Sequence, residues 1–539
     1  MLFLSVCTGS PLVYSRKSED STFVPPHTSL EPPKLNIRSL SARLAQRLLP
    51  SPANLASDSS SRRFLLAFFA AAILLGLTAC AQVIYHIPQY NFAGRPTPPS
   101  QLQQRVMVSV TANGSSGSLQ ILDGLRDIRN NVPNTIPGFG INGYSGGYPS
   151  LILNFPEASR GYVYSNIAPY GVSIINYGTE STSGSAGSFS GPSNSLAIAP
   201  AFLRIFAAEE QSSRLLILDN QTGQEFALNL PNVYKVAVNR GDTVALAMVR
   251  NSNFLYRVIK VNAGTTANPP GAIDCQPTLL PVYCVVPVPG NFDRPIDAIF
   301  SLDGSSAYIL NCGQECGGGS NGGAGVSFIP QGSLQINLIP TSPVYPAVVT
   351  NTVATPGGAT AAIPDGTNLY IAGQQLQPDG LFAGRLTSLN LTTLVPSAPI
   401  SISDGNHSKM LFADDNTLWI GSQFCATGER AKQGQNYNCL TRFDLGAQTA
   451  SIVPANVIPG SSASGATVPY PNGDNNLYYY GSLTGLCWVQ NYHKVYTAYG
   501  GQVHAFNTAT SAEINNQFIT VQGTALDVAY IDALTNSAN

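Results

Sequence analysis

The sequence predicts an all-β chain, a β-propeller of eight four-stranded blades, and three observations carry that expectation. First, a short unit recurs. Residues 298–310 read AIFSLDGSSAYIL, an apolar run, an Asp-Gly turn and a second apolar run, and pieces of it return as AIPDGTNLYIA (362–372) and LFADDNTLWIG (411–421). One such unit cannot bury both of its faces, so copies must stack. Second, the composition suits short strands joined by turns: 50 Gly, 39 Pro and four Met in 539 residues, with 10% charged against about 25% in an average globular chain. Third, the first repeat lacks the leading apolar run that its successors have, and a spare run, 526–531 in LDVAYID, sits at the far end of the chain. A C-terminal strand completing the N-terminal sheet is how a ring of sheets closes and loses its exposed edges. Repeat spacing is uneven, which leaves seven blades as the alternative.

Taken in order, residues 1–61 are Ser- and Pro-rich with no apolar period. They read as a disordered leader or as the product of a start assigned too far upstream. Residues 62–79 have the order of a secretory signal: Arg62 and Arg63, then the apolar run 64–75, then Leu77-Thr78-Ala79 before Cys80. The uncharged stretch Phe64 to Ala79 is 16 residues, below the roughly 17 needed to span a bilayer. A retained signal anchor and a buried helix are the competing readings. Leu77 to Cys80 resembles the lipobox of bacterial lipoproteins. That resemblance implies removal of everything before Cys80, a lipid on Cys80 as the membrane partner, and an address in the bacterial cell envelope, facing periplasm or exterior. Residues 80–104, with Pro88, Pro96, Pro98 and Pro99, then read as a tether.

The propeller is expected over 105–533, followed by a short tail, 534–539. Its strands come in pairs: 105–111 with 118–123, 160–165 with 171–177, 202–208 with 214–219, 243–249 with 255–261, 306–312 with 325–329, 368–373 with 385–391, 417–423 with 439–445, and 494–499 with 502–507. From the second onward each pair follows a further apolar run, such as 150–153, 196–199, 235–239 and 296–300. HKVYTAYGGQVHAFNTATSAEI (493–514) and IFSLDGSSAYILN (299–311) resemble the YVTN-type repeats of bacterial surface and lactonase-like proteins. The resemblance covers most of 105–533 as a pattern. Asn507 stands where the family pattern has Asp, and Leu302 where it has Pro. It implies the propeller fold and, as one activity among several, lactone hydrolysis.

Function is harder to place. Residues 1–63 hold eight of the 27 basic and four of the 29 acidic residues, leaving a body with 19 and 25. Such a body has no basic stripe for phosphates, so nucleic acid is excluded as a partner. Three loops between paired strands are long: 313–324, 374–384 and 424–438. They would crowd one rim, and binding residues concentrate on loops held by a rigid scaffold. Gln314, Glu315, Gln375, Phe424, Arg430 and Tyr437 are the candidate binding residues there, for a protein or glycan ligand. Neutral lengthening of solvent loops is the bland alternative.

In an oxidising compartment the nearby cysteines pair as Cys275 with Cys284, Cys312 with Cys316 and Cys425 with Cys439, leaving Cys487 single. The Gly-rich segment 317–325 lies between two strands and reads as a flexible loop. Asp303, Asp365 and Asp414 recur at tight turns, where Asp hydrogen-bonds the following backbone. Trp419, inside a strand, reads as blade core. His407, on a loop between blades, is the one weak candidate for acid or base work; His493 and His504 have turn or packing roles. No nucleophile with its base, phosphate loop or calcium loop is evident, so no cofactor or metal is expected. The expected function is a lipid-anchored, exported binding or scaffold module, with a lactonase-like hydrolase acting at the channel mouth as the alternative.

Overall fold

In the computed structural model the described residues are 96–127, 139–261, 269–276, 281–319, 322–339, 348–378, 380–425, 438–455, 481–514 and 521–536. The leader, the signal-like segment, Cys80, most of the tether, Arg430 and Tyr437 lie outside them.

Eight antiparallel sheets form a ring, a β-propeller. The first contains β1 (Arg105–Thr111) and β2 (Gly117–Asp123); the second β3 (Pro149–Phe155), β4 (Arg160–Ser165), β5 (Tyr170–Asn176) and β6 (Ser181–Phe189). The third is β7 (Ser195–Ile198), β8 (Arg204–Glu209), β9 (Arg214–Asp219) and β10 (Gln224–Asn229). In the fourth, β11 (Val233–Val238), β12 (Ala245–Val249) and β13 (Leu255–Val261) are followed outward by β15 (Val282–Val288), with β14 (Asp274–Cys275) as a short fifth strand. The fifth is β16 (Pro295–Phe300), β17 (Ser306–Asn311), β18 (Gly325–Pro330) and β19 (Asn351–Ala354). The sixth is β20 (Gly358–Pro364), β21 (Asn368–Leu376), β22 (Phe382–Asn390) and β23 (Ile400–Ile402). The seventh is β24 (Asn406–Ala413), β25 (Thr417–Gln423), β26 (Leu440–Asp444) and β27 (Thr449–Ile452). The eighth holds β28 (Leu483–Val489), β29 (Lys494–Tyr499) and β30 (Gln502–Asn507). The last strand, β31 (Thr524–Tyr530), returns to the first sheet and pairs with β1, Val106 opposite Tyr530 and Val108 opposite Val528. In the first and eighth sheets the bridges Gln120↔Gly140 and Phe506↔Glu513 lie at the outer edge, where a fourth strand belongs.

The central strands are apolar throughout because both of their faces are covered, which is why they read as continuous runs. In β1, Val106, Val108 and Val110 face the eighth sheet while Met107 faces the second. In β25, Trp419 packs toward the eighth sheet, and Leu418 and Ile420 toward the sixth. Each seam between neighbouring sheets holds one such cluster. The outermost strands carry little of this core; β27 and β19 are mostly exposed.

Three sequence expectations need correction here. His407 is not on a loop between blades: it is the second residue of β24 and stands opposite Ser422. Residues 374–384 are not mostly loop: β21 and β22 run on as a hairpin, Leu376 opposite Phe382, and Gln377 N–H donates to Leu381 O to carry the ladder into the turn. The described part of the Gly-rich segment is held, not loose. The buried Asp293 carboxylate accepts the backbone N–H groups of Gly319 (2.8 Å) and Gly323 (3.0 Å).

Candidate functional site

The innermost strands share a local irregularity that shapes the channel. In seven of the eight sheets the register shifts by one residue near the start of the innermost strand, at Ser150, Tyr234, Ile296, Thr360, Ser408, Thr484 and Leu526. A β-bulge kinks a strand and re-aims its side chains. Four consecutive bulge residues, Tyr234, Ile296, Thr360 and Ser408, line a cavity of about 320 Å³ at the channel mouth. The cavity opens on the face of the long loops, since Asn251 and Ser252 from the β12–β13 loop, Cys316 from the β17–β18 loop and Gln374 from the end of β21 also line it.

The residue after each bulge faces its neighbours around the channel, and four of these are charged. Lys235 Nζ lies 3.1 Å from Asp297, between the fourth and fifth sheets. Lys409 Nζ lies 3.2 Å from Asp527, reaching from the seventh sheet past the eighth to the first. Gly485 occupies the equivalent position in between, and a Cβ there would stand 2.7 Å from the Asp527 carboxylate. The carboxylate also accepts the N–H of Ile152 at 2.9 Å. Burial pushes the Asp527 carboxyl above the usual carboxylate range, with Lys409 opposing. Lys409, Asp527 and Leu486 line a second cavity of about 230 Å³ that shares Ser408 with the first.

The mouth carries three cations, Lys235, Arg250 and Arg294, and one carboxylate, Asp297. Arg250 pairs with Glu210 and lies over the Tyr234 ring, 4.7 Å from its centroid. Arg294 donates from Nη2 to Gly317 O at 2.9 Å. Its Nε is buried without a hydrogen-bond partner, and among the described residues no carboxylate pairs with it.

His407 lines the same cavity and is buried. Its Nε2 is 2.8 Å from Ser403 O, and a carbonyl can only accept, so the proton is on Nε2. That leaves Nδ1 as an acceptor, 3.5 Å from Thr360 Oγ1. Burial lowers its pKa to about 4, opposed by the bond to Ser403. The ring is therefore neutral at pH 7 and a weak base.

The three disulfides pair as spacing suggested: Cys275–Cys284, Cys312–Cys316 and Cys425–Cys439. The first joins β14 to β15 at the outer edge of the fourth sheet, away from the mouth. The second pins the turn that carries Gln314, which is exposed, and Glu315, which is half-buried. The third closes the β25–β26 loop beside Phe424, which is 65% exposed. Gln375 is half-buried and accepts from Arg385 Nε at 3.2 Å. Of the residues singled out from sequence, His407 and Cys316 line the cavity; Cys487 is free and buried in the seam between the eighth and first sheets.

Asp303 and Asp365 cap their own turns through Ser305 N and Thr367 N. The Ser301 hydroxyl and the Ser305 N–H and hydroxyl hold exposed Asp303 at about 2. Asp414 differs, reaching the next sheet's turn at His493 N, 2.8 Å away. Among the described residues no three of His, Cys, Asp and Glu come together as a metal site.

Sequence reasoning missed Lys235, Arg250, Arg294, Asp297, Lys409 and Asp527. A signal existed for four of them. Lys235-Val-Ala-Val, Asp297-Ala-Ile-Phe, Lys409-Met-Leu-Phe and Asp527-Val-Ala-Tyr each place one charge before three apolar residues on an innermost strand.

No family model matches the chain, and no curated protein matches it in sequence. Solved structures do match in fold. Hydrazine synthase of Kuenenia stuttgartiensis aligns over 70% of this chain and 99% of its own, at 15% identity and a TM-score of 0.41. The β-propeller domain of Myceliophteria thermophila Cps50 aligns over 70% and 99%, at 11% identity and 0.40. A candidate 6-phosphogluconolactonase of Bacteroides fragilis aligns over 66% and 95%, at 13% identity and 0.37. These likenesses are of architecture alone.

Proposed function

We propose that this chain is an exported binding module of the YVTN-repeat type, anchored to a membrane through a lipid on Cys80, that takes a protein or glycan ligand at the channel mouth. One observation carries the binding reading. Four bulged inner strands and the disulfide-braced turn that carries Cys316 converge on one open cavity holding several charged and polar side chains, so the groups facing a ligand are held before it arrives. The disulfides indicate an oxidising, exported compartment, and no helix among the described residues is long and apolar enough to cross a membrane. Anchoring by lipid rests on the sequence pattern at Cys80. Mass spectrometry of the native N-terminus tests it, and a chain still beginning at Met1 would refute it.

For binding, the full chain is screened against a glycan array and a displayed random-peptide library, beside the variant Asn406→Trp, which fills the mouth. Ligands lost with the variant support the reading. Ligands retained, or none from either library, overturn it. The lactonase alternative has His407 at the mouth in its favour. However, its Nε2–H is committed to Ser403 and its pKa of about 4 makes it a poor proton acceptor. Turnover in a lactone-hydrolysis screen, abolished in the same variant, would reinstate it.

A further inference from the structure

We infer that the occupant of the channel mouth is a peptide segment of a partner protein that inserts an acidic side chain onto Arg294 and lays apolar neighbours on the surrounding rim. This rests on the mouth being the binding site. Charge sets the first half. The mouth presents three cations against one carboxylate, and that carboxylate is already engaged by Lys235. Arg250 is engaged by Glu210, which leaves Arg294 as the cation with no carboxylate among the described residues. A guanidinium at the edge of a cavity has N–H groups beyond the one that Nη2 gives to Gly317 O, and is suited to a carboxylate.

The rim sets the second half. Four of the large apolar side chains exposed in the described residues lie within a few residues of the mouth: Phe254 (59%), Leu376 (47%), Phe382 (38%) and Phe424 (65%). Phe254 is two residues past the lining Ser252, and Asn253 between them accepts the Arg294 N–H at 3.2 Å. Leu376 is two residues past the lining Gln374 and opposite Phe382. Phe424 follows Gln423, which pairs with the lining Asn406. Single exposed apolar side chains are ordinary, but four on the chain segments that border one cavity supply apolar area for a partner. Phe and Leu carry no polar atom to meet sugar hydroxyls, unlike Tyr and Trp, so this rim favours a peptide over a glycan.

The test uses the full chain and a displayed random-peptide library. The enriched sequences are expected to share an Asp or Glu flanked by aromatic or aliphatic residues. A synthetic peptide of the enriched sequence should lose at least about tenfold in affinity to Arg294→Gln, and about threefold to tenfold to Phe424→Ser, with an unchanged melting temperature for each variant. Replacing the peptide's acid by Lys should abolish binding to the native chain and restore it to Arg294→Glu, a swap that a merely structural arginine would not support. Enriched peptides without an acid, or indifferent to Arg294, overturn the inference while leaving a binding mouth intact. Hits confined to glycans and lost in Asn406→Trp do the same. If light scattering shows a dimer that Phe424→Ser dissociates, the rim's occupant is a second copy of this chain and the peptide reading fails.

Discussion

His407 shows how a single buried ring couples folding to pH. Its pKa falls from 6.5 to about 4 because burial disfavours the imidazolium. The unfolded chain therefore binds a proton between these values that the folded chain refuses, and stability must fall as pH drops through that window. The full difference is of order 3 kcal/mol at about 1.4 kcal/mol per unit. Replacing His407 by Gln keeps a donor for Ser403 O and removes the titration. Comparing urea midpoints at pH about 4.5 and about 7, the substituted chain should show a shallower loss toward acid than the native one. The buried carboxylates titrate equally in both, so equal slopes would mean that the ring is protonated in the fold.

At the scale of one element, the Gly-rich loop is held by a charge that the sequence places just before β16, well upstream of the loop. Asp293 accepts Gly319 N and Gly323 N, and a Cβ on Gly318 would stand 2.0 Å from its carboxylate. Gly318 is thus required by close approach, not by looseness. Asp293→Ala should cost about 2 kcal/mol, the usual worth of hydrogen bonds to a buried charge. It should also speed amide exchange at Gly319 and Gly323 by tenfold or more, measured by hydrogen exchange. Unchanged protection would assign the loop's order to the Cys312–Cys316 disulfide alone. The same element shows where sequence reading stops. The central strands, such as β1 and β25, were legible because a strand covered on both faces is a continuous apolar run. Outer strands such as β19 and β27 were not, because they are largely exposed and carry no such run. The three disulfides were legible through cysteine spacing. The mouth was not, since its side chains come from bulges in four separate sheets, and register shifts leave little trace in composition.

For the whole molecule, the consequential strand is the last. β31 pairs along β1 and adds Val528 and Tyr530 to the seam between the eighth and first sheets. It also supplies Asp527 to Lys409, and the residues just after it supply Asp532 to the buried Arg105 at 2.6 Å. A chain ending at Gly523 would lose several buried apolar side chains at roughly 1.5–3 kcal/mol each. It would take Asp532 from Arg105, leaving Glu180 and the Tyr177 carbonyl, and expose the whole inner edge of β1. Together these approach the roughly 5–15 kcal/mol that holds a domain folded, so this truncation should aggregate or lose its cooperative melt. A chain ending at Ala533 keeps β31 and Asp532 while giving up bonds of Leu534 and Thr535 with Gln490 and of Asn536 with Glu157, and should melt within a few degrees of the full chain. A synthetic peptide of residues 521–536 added to the shorter truncation should restore part of the melt if β31 acts as the strand that joins the two ends of the ring. A chain ending at Gly523 that melts cooperatively at the native temperature would mean that the seam between the eighth and first sheets holds without it.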